Sequence, residues 1–261
     1  METLTLVTTG DRWSAAGGGP APGRGLFVKE LEHALLNGDA HLAVHSAKDL
    51  PADLPDGLAV VAVPPREDPR DVLVGIAGGL DLAAGSRVGT GSPRREAQLR
   101  AARPDLEIVP VRGNVGTRLA LVDEGRVDAV VLAAAGLNRL GVARADAVPL
   151  DPEVSTPAPG QGLLAIEAVA GSEAAAALSV LDDVAAHACL RAERRLLAAL
   201  GGGCMQPVGA LATARDGALD LIAFAGSEDG LRAERTTAGG SIDHPEEVAD
   251  VAAARLQEVR R

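Results

Sequence analysis

Apolar residues along the first two thirds of the chain form short continuous runs that alternate with segments of helical spacing. This pattern predicts strands at residues 3–8, 42–45, 58–63, 87–88, 106–111, 127–132 and 163–169. It predicts helices at residues 27–36, from 93, at 114–124 and at 134–140. From residue 72 onward, the alternation favours a mainly parallel sheet covered by helices.

Breaks in this pattern divide the chain into predicted domains. Residues 64–69 are rich in proline and charge, and we place a hinge there. Beyond the glycine run at 201–203, apolar segments at 208–213, 219–225 and 232–238 predict an antiparallel meander, and a helix follows from 245. The predicted domains are residues 1–64 with 163–180, residues 68–156, and residues 184–261, the last a small α+β domain.

Charge and composition exclude several classes of partner. The 261 residues carry a net charge of −11, whereas nucleic acids and anionic membranes both require a basic surface. The two cysteines are too few for a disulfide scaffold and lack metal-ligand spacing, and no apolar run reaches the length of a membrane span. We therefore expect a cytoplasmic protein without a metal. Its core must consist of alanine, valine and leucine, because aromatic residues make up only 1% of the chain.

The segment 44–51 ends a short apolar run in a cluster of polar and charged side chains. Pro51 prevents a long helix from following the predicted strand. Asp49 is therefore expected at the carboxyl end of a strand, where open α/β sheets bind their ligands. Aspartate and serine before a proline are more often turn or cap residues, so this segment alone assigns no function.

Several arginines lie where predicted strands lead into helices, namely Arg94, Arg95, Arg112 and Arg118, and Arg139 ends a third such unit. Ser92 and Pro93 mark the first of these helix starts, where backbone N–H groups favour anions. A single arginine most often forms a surface salt bridge. Several at the junctions of one sheet indicate a cleft for a polyanion, because guanidinium groups bind carboxylates and phosphates in a bidentate manner. Nucleotide phosphates are not favoured, since the chain lacks a Walker pattern.

The two cysteines have different sequence surroundings. Cys204 follows three glycines, in a flexible loop that leaves its sulfur accessible, so it is a candidate nucleophile or attachment point. Cys189 lies among alanine and leucine on a predicted helix and is expected in the core. His45 could serve as a base for Cys204, but we expect it to pack beside its strand.

Taken together, these residues resemble the porphobilinogen deaminase (hydroxymethylbilane synthase) family of tetrapyrrole synthesis. The resemblance covers nearly the whole chain in the family's order. It is carried by residues 25–32, 43–49, 66–71, 89–95, 112–119, 135–141, 160–162 and 202–204. The most distinctive of these are Ala-Val-His-Ser-Ala-Lys-Asp at 43–49, Arg-Gly-Asn-Val-Gly-Thr-Arg-Leu at 112–119 and Gly-Gly-Cys at 202–204.

The resemblance implies an α/β fold with two lobes like those of periplasmic solute-binding proteins and a small α+β C-terminal domain. It also implies a dipyrromethane cofactor that is assembled from substrate and attached through a thioether to Cys204. Four porphobilinogen units are joined head to tail with loss of ammonia, and hydrolysis releases linear hydroxymethylbilane. The enzyme is expected to be a monomer.

The resemblance further implies roles for individual residues. Asp49 matches the family's catalytic aspartate, whose carboxylate stabilises the positive charge that develops on a pyrrole nitrogen when ammonia leaves. Cofactor binding is expected from Cys204, Lys48, Ser46, Thr90, Ser92, Arg94, Arg95 and Asp68. Substrate binding is expected from Arg112, Arg118, Arg139, Gln161 and Arg24. Each pyrrole carries an acetate and a propionate, so the growing chain is a polyanion that suits an arginine cleft.

The sequence departs from the family's pattern at its beginning. It starts at what matches the family's second strand, so the usual first strand and its Arg-x-Ser segment are missing. We therefore expect an N-terminally truncated member, which is a fragment or a mis-started reading frame. A binding-class alternative stays open, namely a module of solute-binding-protein type that holds carboxylates without turnover, or an inactive fragment of the enzyme.

Overall fold

Three β-sheets form the framework of the molecule. A computed structural model describes residues 3–6, 28–201, 206–227 and 232–257, and the sheets are counted over these residues. The strands are β1 (Ala43–Ser46), β2 (Leu58–Ala62), β3 (Asp71–Val74), β4 (Arg87–Gly89), β5 (Glu107–Val109), β6 (Ala129–Ala133), β7 (Ala147–Pro149), β8 (Leu164–Val169), β9 (Val208–Arg215), β10 (Ala218–Gly226) and β11 (Ala233–Ser241). The helices are α1 (Lys29–Asn37), α2 (Pro93–Ala102), α3 (Val115–Asp123), α4 (Ala134–Arg139), α5 (Glu173–Leu178), α6 (Val184–Ala199) and α7 (Pro245–Leu256).

The first sheet has the order β1-β8-β2, and β8 is antiparallel to both of its neighbours. The chain therefore leaves this sheet after β2 and returns to its centre about a hundred residues later, as the apolar run at 163–169 predicts. Helix α1 packs on the sheet through Leu35. It ends at Gly38, whose φ of 78° lies in the left-handed region that glycine adopts readily.

The second sheet has the order β5-β4-β6-β3-β7. Strand β4 is parallel to β5 and β6, whereas β3 is antiparallel to β6 and β7. Four strands thus share one direction, and β3 is reversed between two of them. The prediction of a mainly parallel sheet holds for the strand directions but is wrong about the pairings of β3. The reason is that β3 enters straight from the hinge segment, without the crossover helix that a parallel connection requires.

The C-terminal unit is an antiparallel meander, β9-β10-β11, covered by α6 and α7. Ala192 of α6 and Ala249 of α7 are fully buried in its core with Ala223 of β10. Such small side chains let helices and sheet approach closely without any aromatic residue. The predicted meander and final helix are both confirmed.

Hydrogen bonds join this unit to the second lobe. Arg235 of β11 donates to Oε1 of Gln98 on α2 and to Oγ1 of Thr156, each at 2.9 Å. The three sheets fall within the three predicted domains, and the exact domain boundaries stay predictions.

The predicted strand at residues 3–8 is not found where the structure describes it. Residues 3–6 have no regular secondary structure, and Leu4 is exposed. An apolar alternation forms a strand only when a neighbouring strand satisfies its backbone, and none pairs with residues 3–6. Residues 7 and 8 lie outside the described residues.

Gly162 allows a close crossing of two chain segments beside β8. Its φ is 85°, and an added Cβ would collide with the carbonyl oxygen of Glu67. We expect Gly162→Ala to lower the free energy of unfolding by about 3 kcal/mol, from left-handed strain plus overpacking. Gly141→Ala is the matched control, because Gly141 has a φ of 64° and open space around it, so only about 1 kcal/mol of strain applies. Urea denaturation measures both, and equal losses would contradict the steric argument.

Candidate active site

Side chains from the first and second lobes line a common cavity of about 460 Å³. Seven of the residues that the sequence predicts for the site are among them: Ser46, Lys48, Asp49, Arg95, Arg118, Arg139 and Gln161. The lining therefore includes four cationic side chains and one carboxylate. Within an acidic chain, this is a local reversal of charge.

Asp49 reaches the cavity from a single helical turn. Strand β1 ends at Ser46, and a 3₁₀ turn follows over Ala47–Asp49, closed by a hydrogen bond from the Leu50 amide to the Ala47 carbonyl at 3.3 Å. Leu50 is 2% exposed and packs in the core of the first lobe, so the turn is held from beneath. Asp49 itself lies open along the cavity wall, but the surrounding protein removes part of its hydration. This desolvation raises the pKa of Asp49, against the opposing charges of Lys48 and His45.

The amine of Lys48, on the same turn, is an unusually weak base. Burial, followed by the positive charge of Arg95, lowers the pKa of Lys48 to about 8. Asp49 and Asp71 act in the opposite direction without restoring the ordinary value. The side chain therefore carries its charge at neutral pH and loses it a little above.

Asp71, at the start of β3, organises one wall of the cavity. Its carboxylate is fully buried and accepts hydrogen bonds from Arg95 at 2.7 Å, from Gln161 at 2.9 Å and from Arg94 and Ser155 at 2.8 Å. Burial alone would raise the pKa of this carboxyl, but the two arginines overcome it and hold the pKa far below its usual range. Asp71 is thus a permanent anion that fixes the positions of Arg95 and Gln161.

Sequence reasoning did not single out Asp71 as a site residue. It appears there only as the last residue of the motif at 66–71. A buried charge cannot be recognised from a pattern of apolar positions, and its arginine partners follow more than 20 positions later.

Arg94 is not among the lining residues of the cavity, and its contact with the cofactor stays a prediction. Its side chain is buried, and its Nη1 donates to Asp71 at 2.8 Å and to the Thr156 carbonyl at 2.5 Å. Neighbouring residues on a helix point about 100° apart, which follows from 3.6 residues per turn. Arg95 therefore lines the cavity, whereas the guanidinium of Arg94 bonds to Asp71 and to the Thr156 carbonyl without lining it.

Thr90 and Ser92 are also not among the lining residues of this cavity, and their cofactor contacts stay predictions. Ser92 caps helix α2, because its Oγ accepts a hydrogen bond from the Arg95 amide at 3.5 Å. Thr90 is buried and its Oγ1 accepts from the Ser92 amide at 3.2 Å. Both hydroxyls serve the local turn that precedes the helix.

Arg118 and Arg139 are oriented by backbone carbonyls. Nε of Arg118 donates to the Gly113 carbonyl, and Nη2 of Arg139 donates to the Gly162 carbonyl, each at 2.9 Å. Burial and the charge of Arg95 lower the pKa of Arg118, but a guanidinium remains protonated in proteins. Neither arginine forms an ion pair with a carboxylate of the described residues, so both keep charge available for a ligand.

Of the four other predicted residues, two are described and are not among the lining residues of this cavity, and two lie outside the described residues. Arg112 is exposed and is not among the lining residues. Asp68 is bound by Arg70, with the closest contact at 2.6 Å, so it serves the hinge rather than the cavity. Arg24 and Cys204 lie outside the described residues.

Glu193 is a second buried anchor that sequence reasoning missed. This fully buried residue of α6 accepts from Arg66 at 2.6 and 3.1 Å, from the amide of Gly160 at 2.6 Å and from the amide of Ala212 at 2.8 Å. It therefore ties the hinge, the cavity loop and β9 to one helix. The only sequence signal was a glutamate on the otherwise apolar face of a helix.

His45 packs in the first lobe, as expected. Its Nε2 lies 2.9 Å from Oε2 of Glu167 on β8, and both side chains are buried. The pair fastens β1 to the centre of the sheet.

Neither a metal-binding group of side chains nor a membrane-spanning helix is present among the described residues. No group of three or more histidine, cysteine, aspartate or glutamate side chains is arranged to hold a metal ion. Within the same part of the chain, no helix is long and apolar enough to cross a bilayer.

The cavity suits an acidic pyrrole compound. Lys48, Arg95, Arg118 and Arg139 can bind carboxylates, while Gln161 offers a buried acceptor, Oε1, that has no hydrogen-bond partner among the described residues. A pyrrole N–H is a donor of the kind that such an acceptor requires. The residues present therefore fit a dipyrromethane with carboxylate side chains.

Comparisons with known proteins extend over nearly all of the chain. Residues 1–177 match the family model described as "Porphobilinogen deaminase, dipyromethane cofactor binding domain", and residues 187–258 match "Porphobilinogen deaminase, C-terminal domain". The porphobilinogen deaminase of Thiobacillus denitrificans is 48% identical over 98% of this chain and 85% of its own length. That of Chromobacterium violaceum is 47% identical over 98% of this chain and 84% of its own length.

A solved structure gives a weaker likeness. The periplasmic aliphatic sulphonate binding protein SsuA from Escherichia coli aligns with 65% of this chain and with 56% of its own length. The identity is 18% and the TM-score is 0.38. The family models and the relatives agree with each other over both parts of the sequence. This chain belongs to the porphobilinogen deaminase family.

Proposed function

We propose that this protein is a transferase that joins four porphobilinogen molecules head to tail into linear hydroxymethylbilane and releases one ammonia for each. The observation that carries the proposal is a single carboxylate, Asp49, among the cationic side chains of one cavity. The cations suit the acetate and propionate groups of the substrate. The carboxylate suits the transient positive charge of its ring.

Asp49 acts at the step in which the carbon–nitrogen bond of the aminomethyl group breaks. Ammonia leaves with the bonding electrons, and the pyrrole ring becomes electron-deficient, with positive charge at its nitrogen. A carboxylate fixed beside that nitrogen stabilises the charge as it develops. The methylene carbon that lost ammonia then bonds to the free ring carbon of the terminal pyrrole. That ring carbon must release its proton, and the same carboxylate can accept it.

Three cations orient the carboxylates of the substrate. Arg118 and Arg139 keep guanidinium groups available in the cavity, and Lys48 adds an ammonium beside Asp49. Arg95 contributes positive charge to the wall although its own hydrogen bonds go to Asp71 and to the Val131 carbonyl. The carboxylates of the substrate are therefore bound mainly by Arg118, Arg139 and Lys48.

The dipyrromethane cofactor, when bound, supplies the terminal pyrrole carbon to which the first substrate is added. We propose that it is attached to Cys204. Support comes from the contrast with Cys189, which is buried in the core of the C-terminal unit, where burial raises the pKa of its thiol to about 11. A thiol that resists ionisation is a poor nucleophile. We further propose that the enzyme acts as a monomer in the cytoplasm, in keeping with its acidic surface and its two cysteines.

Mass spectrometry of the purified protein tests the attachment. We expect a mass increment of two pyrrole units on the peptide that contains Cys204. Cys204→Ser should lack the increment, while Cys189→Ser should keep it. If no adduct forms even when porphobilinogen is supplied, the protein is a carboxylate-binding module rather than the enzyme.

Replacing the Asp49 carboxylate should stop turnover without preventing cofactor attachment. We expect Asp49→Ala and Asp49→Asn to lower kcat by about 100-fold or more, because a preorganised charge opposite the transition state is lost. The adduct on Cys204 should remain. Asp56→Asn, in the exposed loop that follows, is the matched control and should turn over normally. A wild-type rate in Asp49→Ala would remove this residue from its role.

The pKa of Lys48 predicts an alkaline loss of substrate binding. Below about pH 8 the ammonium is present and binds a carboxylate, and above it the charge is lost, so KM for porphobilinogen should rise between pH 7 and pH 9. Lys48→Arg should flatten this rise, because the guanidinium stays protonated over the whole range. The exposed Lys29→Arg is the control. A rise that persists unchanged in Lys48→Arg would assign it to another group.

A further inference from the structure

Helix α6 is the support on which the Asp49 turn rests. Leu50 packs with Ala186 and Leu190 of this helix, and Ala52 packs against the core of the C-terminal unit. Because α6 belongs to the C-terminal unit, the position of the turn depends on a domain that contributes no residue to the lining of the cavity in the described structure.

Arg194 makes a direct polar contact between α6 and the short segment that follows this turn. Its Nη2 donates to the Ala52 carbonyl at 2.7 Å. Its Nη1 is buried and has no hydrogen-bond partner among the described residues. Burial lowers the pKa of Arg194, whereas the negative charges of Asp53 and Glu167 act in the opposite direction. A buried donor left without a partner is destabilising, so stability alone does not account for an arginine at this position.

Two other arginines of α6 show what an ordinary docking contact looks like here. Nε and Nη2 of Arg191 both contact Glu246 of α7 at 2.8 Å, and Arg195 pairs with Asp250 at 2.7 and 3.1 Å. These are bidentate pairs of exposed side chains within the C-terminal unit. Of these three arginines, Arg194 is the one that bonds to the first lobe, at the Ala52 carbonyl.

We propose that Arg194 is a positioning residue for the reaction: it holds the Ala52 carbonyl and thereby fixes the backbone that presents Asp49 to the substrate. This inference rests on the proposed role of Asp49. A displacement of about 1 Å in a catalytic group can cost about 100-fold in rate. Two of the three cations that bind the substrate carboxylates, Arg118 and Arg139, do not involve this contact, and only Lys48 shares the turn with Asp49. The effect should therefore fall more on kcat than on KM.

Steady-state kinetics of Arg194→Met and Arg191→Met in the cofactor-loaded enzyme tests the proposal. We expect Arg194→Met to lower kcat by about tenfold or more with KM for porphobilinogen within about twofold, because catalysis depends on the placement of Asp49. Arg194→Lys keeps a charged donor and should recover most of kcat. Arg191→Met should turn over normally, since Arg191 does not touch the turn. Should Arg194→Met fail to fold, Arg194→Gln carries the same comparison.

Hydrogen exchange gives a readout that is independent of turnover. The amides of Leu50, Ala52 and Asp53 should exchange faster in Arg194→Met than in Arg191→Met, while those of β9 and β10 stay protected. A wild-type kcat in Arg194→Met, or a loss of kcat that Arg191→Met reproduces, would overturn the proposal. Asp49→Ala is measured in parallel: if it turns over at the wild-type rate, the proposed role of Asp49 fails, and if it is inactive while Arg194→Met is normal, only the positioning role of Arg194 fails.

Discussion

The site depends on the pairing of buried carboxylates with arginine. Asp71 and Glu193 are both fully buried, and each accepts several hydrogen bonds from guanidinium or backbone donors. A buried carboxylate without such partners would be severely destabilising, whereas one that is fully bonded becomes a rigid junction. In a chain with a net charge of −11, these junctions let acidic residues build a wall that presents positive charge.

The two junctions hold different parts of the cavity. Asp71 orders Arg95 and Gln161 within the second lobe and its crossing loop. Glu193 fastens that same loop, through Gly160, to the hinge arginine Arg66 and to helix α6. The cavity is therefore framed by contacts from all three parts of the molecule, although the first and second lobes supply its lining. Asp49 is the carboxylate of the lining that remains open to a ligand.

Local signals in the sequence predicted the elements well, because each depends on near neighbours. The start of α2 is an example: Ser92 and Pro93 predict the beginning of the helix, and Ser92 caps it in the structure. The position of Asp49 just beyond the end of a strand is another. The reversed direction of β3 and the different orientations of Arg94 and Arg95 were not predictable in this way. They depend on where distant segments meet, as do the roles of Asp71 and Glu193.

The central place of β8 in the first sheet has a consequence for how the protein assembles. His45 and Glu167, which meet across β1 and β8, are 122 positions apart. A ribosome must therefore complete the entire second lobe before the sheet beneath Asp49 can close. Contacts of such long sequence separation slow folding, since loop-closure entropy is lost before they form. The first lobe of the nascent chain therefore stays incomplete until β8 has been synthesised.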